Sequence, residues 1–213
     1  MSLEAIAHVI REKKRFVLCA HYNPDGDAVG SVLGLADMLD HLGREALCFF
    51  EEPVPVIYRF LPGSGRVVSD IGVVQGFLRA AGDEGAVITL DCGDRSRVGR
   101  YENELLAWHP VLVVDHHHSN PGFGDVNWIS PDSAATGEMI FELAQELGLA
   151  ISPEAAQCLY AAISTDTGSF HYASTSSHTF EVAAALVRAG ADPANMANQL
   201  STKIGRASCR ERV

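Results

Sequence analysis

Along the chain, short continuous apolar runs alternate with stretches whose apolar positions recur every three to four residues. RFVLCA (15 to 20) reads as a buried strand, the amphipathic stretch from Asp27 to Leu42 as a helix stopped by Gly43, and EALCFF (45 to 50) as a second strand. A second cycle runs from Val67 through the helical pattern DIGVVQGFLRAA to the strand AVITLD (86 to 91). A third passes a short helix around YENELLAW to the strand VLVVDH (111 to 116). Such alternation predicts a parallel sheet, because parallel strands need crossover connections and helices make them. The predicted fold is α/β, a doubly wound, mainly parallel sheet with helices on both faces. After Ile129 the pattern turns helical, through ATGEMIFELAQELG, PEAAQCLYAAISTDTG, SHTFEVAAALVRAG and PANMANQL, so a helical C-terminal portion follows the sheet. No internal repeat or linker interrupts the chain before residue 202, and residues 1 to 202 are expected to form one domain.

Composition narrows the class. The chain has 213 residues, 47% of them hydrophobic and 20% charged, which suits one full-sized core and excludes fibrous or disordered proteins. No run approaches the ~20 apolar residues of a membrane span, and the N-terminus lacks the apolar segment of a secretory signal, so no membrane partner and a cytoplasmic location are expected. The five cysteines form no C-x-x-C pair. A net charge of -11 argues against a broad basic face for nucleic acid, but it permits a small phosphorylated substrate whose charge is met by bound cations. The last residues, KIGRASCRERV from Lys203 to Val213, reverse the charge trend abruptly. They resemble the translated read-through of a sequencing-adapter oligonucleotide, so 203 to 213 is expected to be a non-native tail and the natural protein to continue beyond Thr202.

Chemistry concentrates in four segments. HYNPDGDAVGS (21 to 31) lies between a strand and a helix. PDGD alone suits a plain turn with Asp27 capping the helix, yet a turn needs neither His21 nor the two carboxylates Asp25 and Asp27. DCGDRSRVG places Asp91 at the end of the strand AVITL, with Asp94 as a candidate helix cap. VLVVDHHHSN delivers Asp115, His116 and His117 to the end of another buried strand. STDTGSF holds Asp166 near the close of an apolar helix, where a satisfied helix terminus is the simpler explanation. Position unites them, because three strands end in His21, Asp91 and Asp115-His116, and open α/β sheets bind ligands outside the carboxyl ends of their strands.

These four segments resemble motifs one to four of the DHH phosphoesterases, in the branch of bacterial bifunctional oligoribonucleases that also act as 3'-phosphoadenosine 5'-phosphate phosphatases. The similarity extends through VNWISPDSAATGEMIFEL and covers residues 1 to 202. It implies two manganese ions, one held by His21, Asp25 and Asp91 and the other by Asp27, Asp91, His116 and Asp166, with Asp91 bridging. His117 is implied as the catalytic histidine beside the scissile phosphate, and Asp115 as the group orienting the neighbouring imidazoles. The family's C-terminal DHHA1 domain, which supplies a substrate-binding motif, has no counterpart in this sequence. The apolar face it would cover is expected to favour self-association, a homodimer included.

The implied chemistry is two-metal hydrolysis of a phosphate ester. Mixed imidazole and carboxylate ligands suit manganese better than magnesium. The expected partner is a short single-stranded oligonucleotide or a small phosphorylated nucleotide, and Arg97 is a candidate phosphate contact against the simpler reading of a solvated loop arginine. Alternatives are a family II inorganic pyrophosphatase, which usually carries Thr where Gly26 stands, a single-strand exonuclease of the RecJ type, or a catalytically silent nucleotide-binding module. A purely structural metal site would use Cys and His rather than carboxylates.

Overall fold

The computed structural model describes residues 2 to 200. The expected tail at 203 to 213 and the domain limit at 202 lie outside them. Five strands, β1 (Arg15–Ala20), β2 (Glu45–Phe49), β3 (Gly85–Leu90), β4 (Val111–Asp115) and β5 (Val126–Ile129), form one sheet in the order β2-β1-β3-β4-β5. Every pairing is parallel, and the register sets Ala20 beside Leu90 and Leu90 beside Val114. The chain winds outward from β1 to β2, then crosses back to β3, so the winding direction reverses between β1 and β3. In sheets of this kind the crevice for ligands opens at that reversal.

Alternate side chains of β1 to β4 feed two separate cores. Phe16, Leu18, Ile88, Leu90, Leu112 and Val114 join α1 (Leu3–Glu12), α2 (Gly26–His41), α5 (Thr136–Leu147), α6 (Pro153–Asp166) and α7 (Ser177–Ala189) in the larger one. Val17, Cys19, Val87 and Val111 meet α3 (Ile71–Ala81) and α4 (Glu102–Leu106) on the opposite face. Residues 193 to 200 are also helical. The predicted doubly wound sheet with helices on both faces is the observed architecture.

Two elements go beyond the sequence expectations. α1 buries Ile6, Ala7 and Ile10 and packs on α5 and β5. β5 is four residues long, too brief for a periodic signal, and pairs at the edge next to β4.

The contact between α2 and α6 positions much of the site. Gly26, Gly30 and Gly34 recur every four residues and so line one face of α2. A Cβ at Gly30 would lie 2.4 Å from the Cys158 carbonyl oxygen, and one at Gly26 would lie 2.4 Å from Thr165 Oγ1. The helices therefore approach backbone to backbone, antiparallel, which brings the last residue of α6, Asp166, towards the first turn of α2, where Asp27 sits.

Candidate metal centre

Three adjacent strands end side by side, and the next residues outward are His21 after β1, Asp91 after β3 and His116 after β4. Neighbouring strands are ~4.8 Å apart, so the side chain on the middle strand reaches both flanking ones. Asp91 does this with its two oxygens. Oδ2 lies 3.6 Å from His21 Nε2, while Oδ1 lies 3.5 Å from His116 Nε2. Its backbone adopts φ 53°, in the left-handed region where aspartate and asparagine are the most tolerated side chains after glycine.

The first cluster consists of His21, Asp25 and Asp91, whose ligand atoms all lie within 4.8 Å of one another. Asp25 caps α2, its Oδ1 accepting from the Asp27 and Ala28 amides at 3.0 and 3.1 Å. Asp25, and not Asp27, is therefore the cap, because Asp27 already lies inside the first turn. Asp25 Oδ2 remains for the cluster, 3.8 Å from His21 Nε2.

The second cluster joins Asp27, His116 and Asp166 within the same limit. His116 Nε2 lies 3.4 Å from Asp166 Oδ2 and 3.8 Å from Asp27 Oδ2. Asp27 is wholly buried. Its Oδ1 accepts from Ser31 Oγ at 3.0 Å and from the Gly137 amide at 2.9 Å, and its Oδ2 from the Thr136 amide at 2.7 Å. Those amides open α5, so the positive end of that helix faces the carboxylate. Thr136 Oγ1 also donates to Asp91 Oδ1 at 3.3 Å.

Both imidazoles are presented the same way. His21 Nδ1 donates to the Tyr22 carbonyl at 2.8 Å and His116 Nδ1 to the Ser133 carbonyl at 3.3 Å. Each Nε2 is thereby left towards the carboxylates, as in histidines that ligate metals. Asp166 ends α6, where the helix dipole disfavours a negative charge. Burial, together with Asp91 and Asp25, raises its pKa despite His116 and His117. Burial and Asp91 likewise push Asp27 upward. For Asp91 burial acts upward too, but the imidazoles of His116 and His21 beside it prevail and hold it below the usual carboxylate range. Four carboxylates crowding two imidazoles carry more negative charge than the protein offsets, and this donor set suits divalent cations.

His117 stands at the rim, half-exposed, its Nδ1 donating to Asp115 Oδ1 at 2.7 Å. Asp115 is fully buried and its Oδ2 accepts from Asn120 Nδ2 at 2.7 Å. The Asp115 bond raises the His117 pKa above its ordinary value against the effect of burial. Asp115 thus orients His117, whereas His116 is held by a backbone carbonyl. His118 is exposed. Arg97 stacks its guanidinium 5.0 Å over the Tyr22 ring, and its carbonyl accepts from the Tyr22 amide at 2.8 Å. Sequence reasoning missed Ser31, Thr136, Gly137, Ser133 and Asn120 as supports of the centre. Backbone amides and carbonyls leave no side-chain signal, and no motif joins positions 27 and 136.

An open parallel sheet with a carboxylate-imidazole centre at its switch point defines a class, and sequence comparison gives it a name. The model of the DHH family, N-terminal domain, matches residues 15 to 163, and the chain belongs to that family. Among curated proteins it is 33% identical over 183 residues to the bifunctional oligoribonuclease and PAP phosphatase NrnA of Thermus thermophilus, covering 86% of this chain and 52% of the relative. It is 28% identical over 187 residues to the protein of the same name from Bacillus subtilis, covering 86% of this chain and 56% of that one. The chain therefore spans about half the length of these relatives. A crystal structure of an exopolyphosphatase-related protein from Bacteroides fragilis shares the fold, with a TM-score of 0.84 at 24% identity, over 93% of this chain and 59% of that one. No helix among the described residues is long and apolar enough to cross a membrane.

Proposed function

We propose that this chain is the metal-bearing domain of a two-metal phosphoesterase that hydrolyses short oligoribonucleotides, 3'-phosphoadenosine 5'-phosphate, or both. The observation that carries this reading is the division of Asp91, one oxygen towards His21, which clusters with Asp25, the other towards His116, which clusters with Asp27 and Asp166. A carboxylate shared between two donor sets is what a pair of neighbouring cations requires. The names of the relatives supply the substrate class.

His21, Asp25 and Asp91 would hold one ion, and Asp27, Asp91, His116 and Asp166 the other. Manganese is the proposed metal, because imidazole and carboxylate donors are mixed in both sets. When bound, the pair of ions supplies an activated water and charge stabilisation for the phosphoryl group. The remaining work belongs to the chain. The Thr136 and Gly137 amides with Ser31 fix the Asp27 carboxylate before substrate arrives, and Asn120 fixes Asp115. Asp115 keeps Nδ1 of His117 protonated and raises its pKa, which suits the exposed ring to donate to the leaving oxygen. Arg97, spread over Tyr22 next to His21, is assigned to the substrate phosphate.

Hydrolysis of a dinucleotide, 3'-phosphoadenosine 5'-phosphate and pyrophosphate, compared side by side with manganese and with a chelator, tests the proposal. Manganese-dependent cleavage of one or both nucleotides, with pyrophosphate spared, is expected. Preference for pyrophosphate, or nucleotide cleavage that survives the chelator, would overturn it.

A further inference from the structure

The first turn of α5, whose amides hold Asp27, also carries Glu138. This carboxylate is 2% exposed, yet its Oε2 has no hydrogen-bond partner. Glu142, four residues on, shares its face of the helix. The facing residue is His178 in the first turn of α7. Its Nε2 lies 2.9 Å from Glu142 Oε1 and 3.9 Å from Glu138 Oε1, and the three residues offer ligand atoms within 4.8 Å of one another. On its other side, His178 Nδ1 faces Glu181 Oε2 at 3.9 Å.

A single imidazole facing Glu142 leaves this group short of positive charge. Three carboxylates surround one ring, and the most buried of them keeps a bare oxygen. Burial raises the Glu138 pKa, and hydrogen bonding from Thr179, attraction to His178 and the Ala134 backbone do not offset it. A divalent cation meets the deficit directly. With bonds of about 2.1 Å in a tetrahedral arrangement, ligand atoms sit ~3.4 Å apart, between the 2.9 and 3.9 Å found around His178 Nε2. Access is open, since the His178 side chain is 47% exposed and that of Glu142 28%.

We propose that Glu138, Glu142 and His178 form a further cation site, separate from the centre around Asp91, that takes one divalent ion of zinc-like character. Two carboxylates and one imidazole supply three ligands and leave a fourth position to water. Glu181 lies 3.9 Å from the far ring nitrogen, beyond hydrogen-bond distance, and adds negative charge beside the ring. An ion here ties α7 to the turn of α5 that supports Asp27.

Zinc titration of the 15N-labelled chain, followed through imidazole resonances, resolves this site from the other. His178→Ala assigns the His178 signals, while His21 and His116 report separately on the Asp91 centre. The His178 Nε2 resonance is expected to move to a metal-bound position and saturate. Glu142→Gln and Glu138→Gln should each raise the zinc concentration at half-saturation about tenfold or more, leaving the His21 and His116 responses in place. Glu142 is partly exposed, so its variant retains the fold even where loss of buried Glu138 does not. A His178 resonance that stays fixed while His21 and His116 saturate, or an unchanged midpoint in Glu142→Gln, would reduce the group to an ion pair and overturn the proposal.

Discussion

Asp27 Oδ2 accepts a 2.7 Å hydrogen bond from the backbone N–H of Thr136, 109 positions further along the chain. The carboxylate is oriented by the docking of α5, with Ser31 Oγ as its only side-chain donor among the described residues. Ser31→Ala should leave the fold intact and lower metal affinity at the Asp27 half about 10- to 100-fold, the usual cost of losing a group that orients a ligand. Calorimetric titration with manganese measures this. Unchanged affinity would mean that the two amides suffice.

Asp91→Asn should be the most damaging single ligand change, because one residue serves both donor sets. Asparagine accepts the φ of 53° at this position, so the backbone turn should persist. Metal analysis is expected to find two ions per wild-type chain and fewer than one in the variant. One ion or none in the wild type would refute the paired centre.

His116 and His117 adjoin in sequence but should separate by phenotype. His116→Ala is expected to empty one metal position. His117→Ala should keep both ions and lose about 10²- to 10⁴-fold in turnover, the range for one proton-donating or charge-stabilising group. His118→Ala should be neutral. Equal metal loss in the first two variants would show that the roles are wrongly divided.

Gly30→Val tests the helix contact. Its Cβ would start 2.4 Å from the Cys158 carbonyl oxygen, which is backbone and cannot rotate away. Overpacking of this kind costs about 1–3 kcal/mol, and separation of α2 from α6 also draws Asp166 from Asp27. The urea midpoint and the manganese affinity should both fall. A stable variant with wild-type affinity would show that the helices have slack.

Protons and a cation should compete for His21. In the metal-free chain burial opposes its charge, but the nearby carboxylates of Asp25 and Asp91 outweigh burial and lift the pKa from 6.5 to about 10. The folded value lies above the unfolded one, so this ion pairing stabilises the metal-free fold fully below about pH 6.5 and fades as pH rises through about 10. A cation needs the deprotonated Nε2, so manganese affinity should increase with pH and binding near neutrality should release protons. Calorimetry in two buffers of different ionisation enthalpy checks this. Identical apparent enthalpies would exclude proton displacement.

The sheet was legible because buried parallel strands read as continuous apolar runs, and three of them ended in residues that a strand does not need. His21, Asp91 and His116 announced themselves in this way. Asp166 did not, since an aspartate among serines and threonines at a helix end looks ordinary, and only resemblance brought it forward. The turn around Asp25 and Asp27 was half readable. A cap was evident, but the second carboxylate passed for it because the buried partner of Asp27 lies on α5. The hydrogen bonds from Thr136, Gly137 and Ser133 were illegible in principle, being backbone groups whose position depends on how helices dock. α1 and β5 escaped notice for a simpler reason, being peripheral and, in the case of β5, very short.

The wide separation between Asp27 and its amide donors fixes an order of events during synthesis. A ribosome delivers His21, Asp25, Asp27, Asp91 and His116 before α5 and α6 have emerged. At that stage Asp27 has no helix start to hold it, and Asp166 does not yet exist. A nascent chain can therefore offer a cation the His21, Asp25 and Asp91 set at the strand ends well before it can offer the second set. On the two-metal reading, loading of the two positions would be staggered in time, with the Asp27 position available only after the last of its supports has been translated and docked.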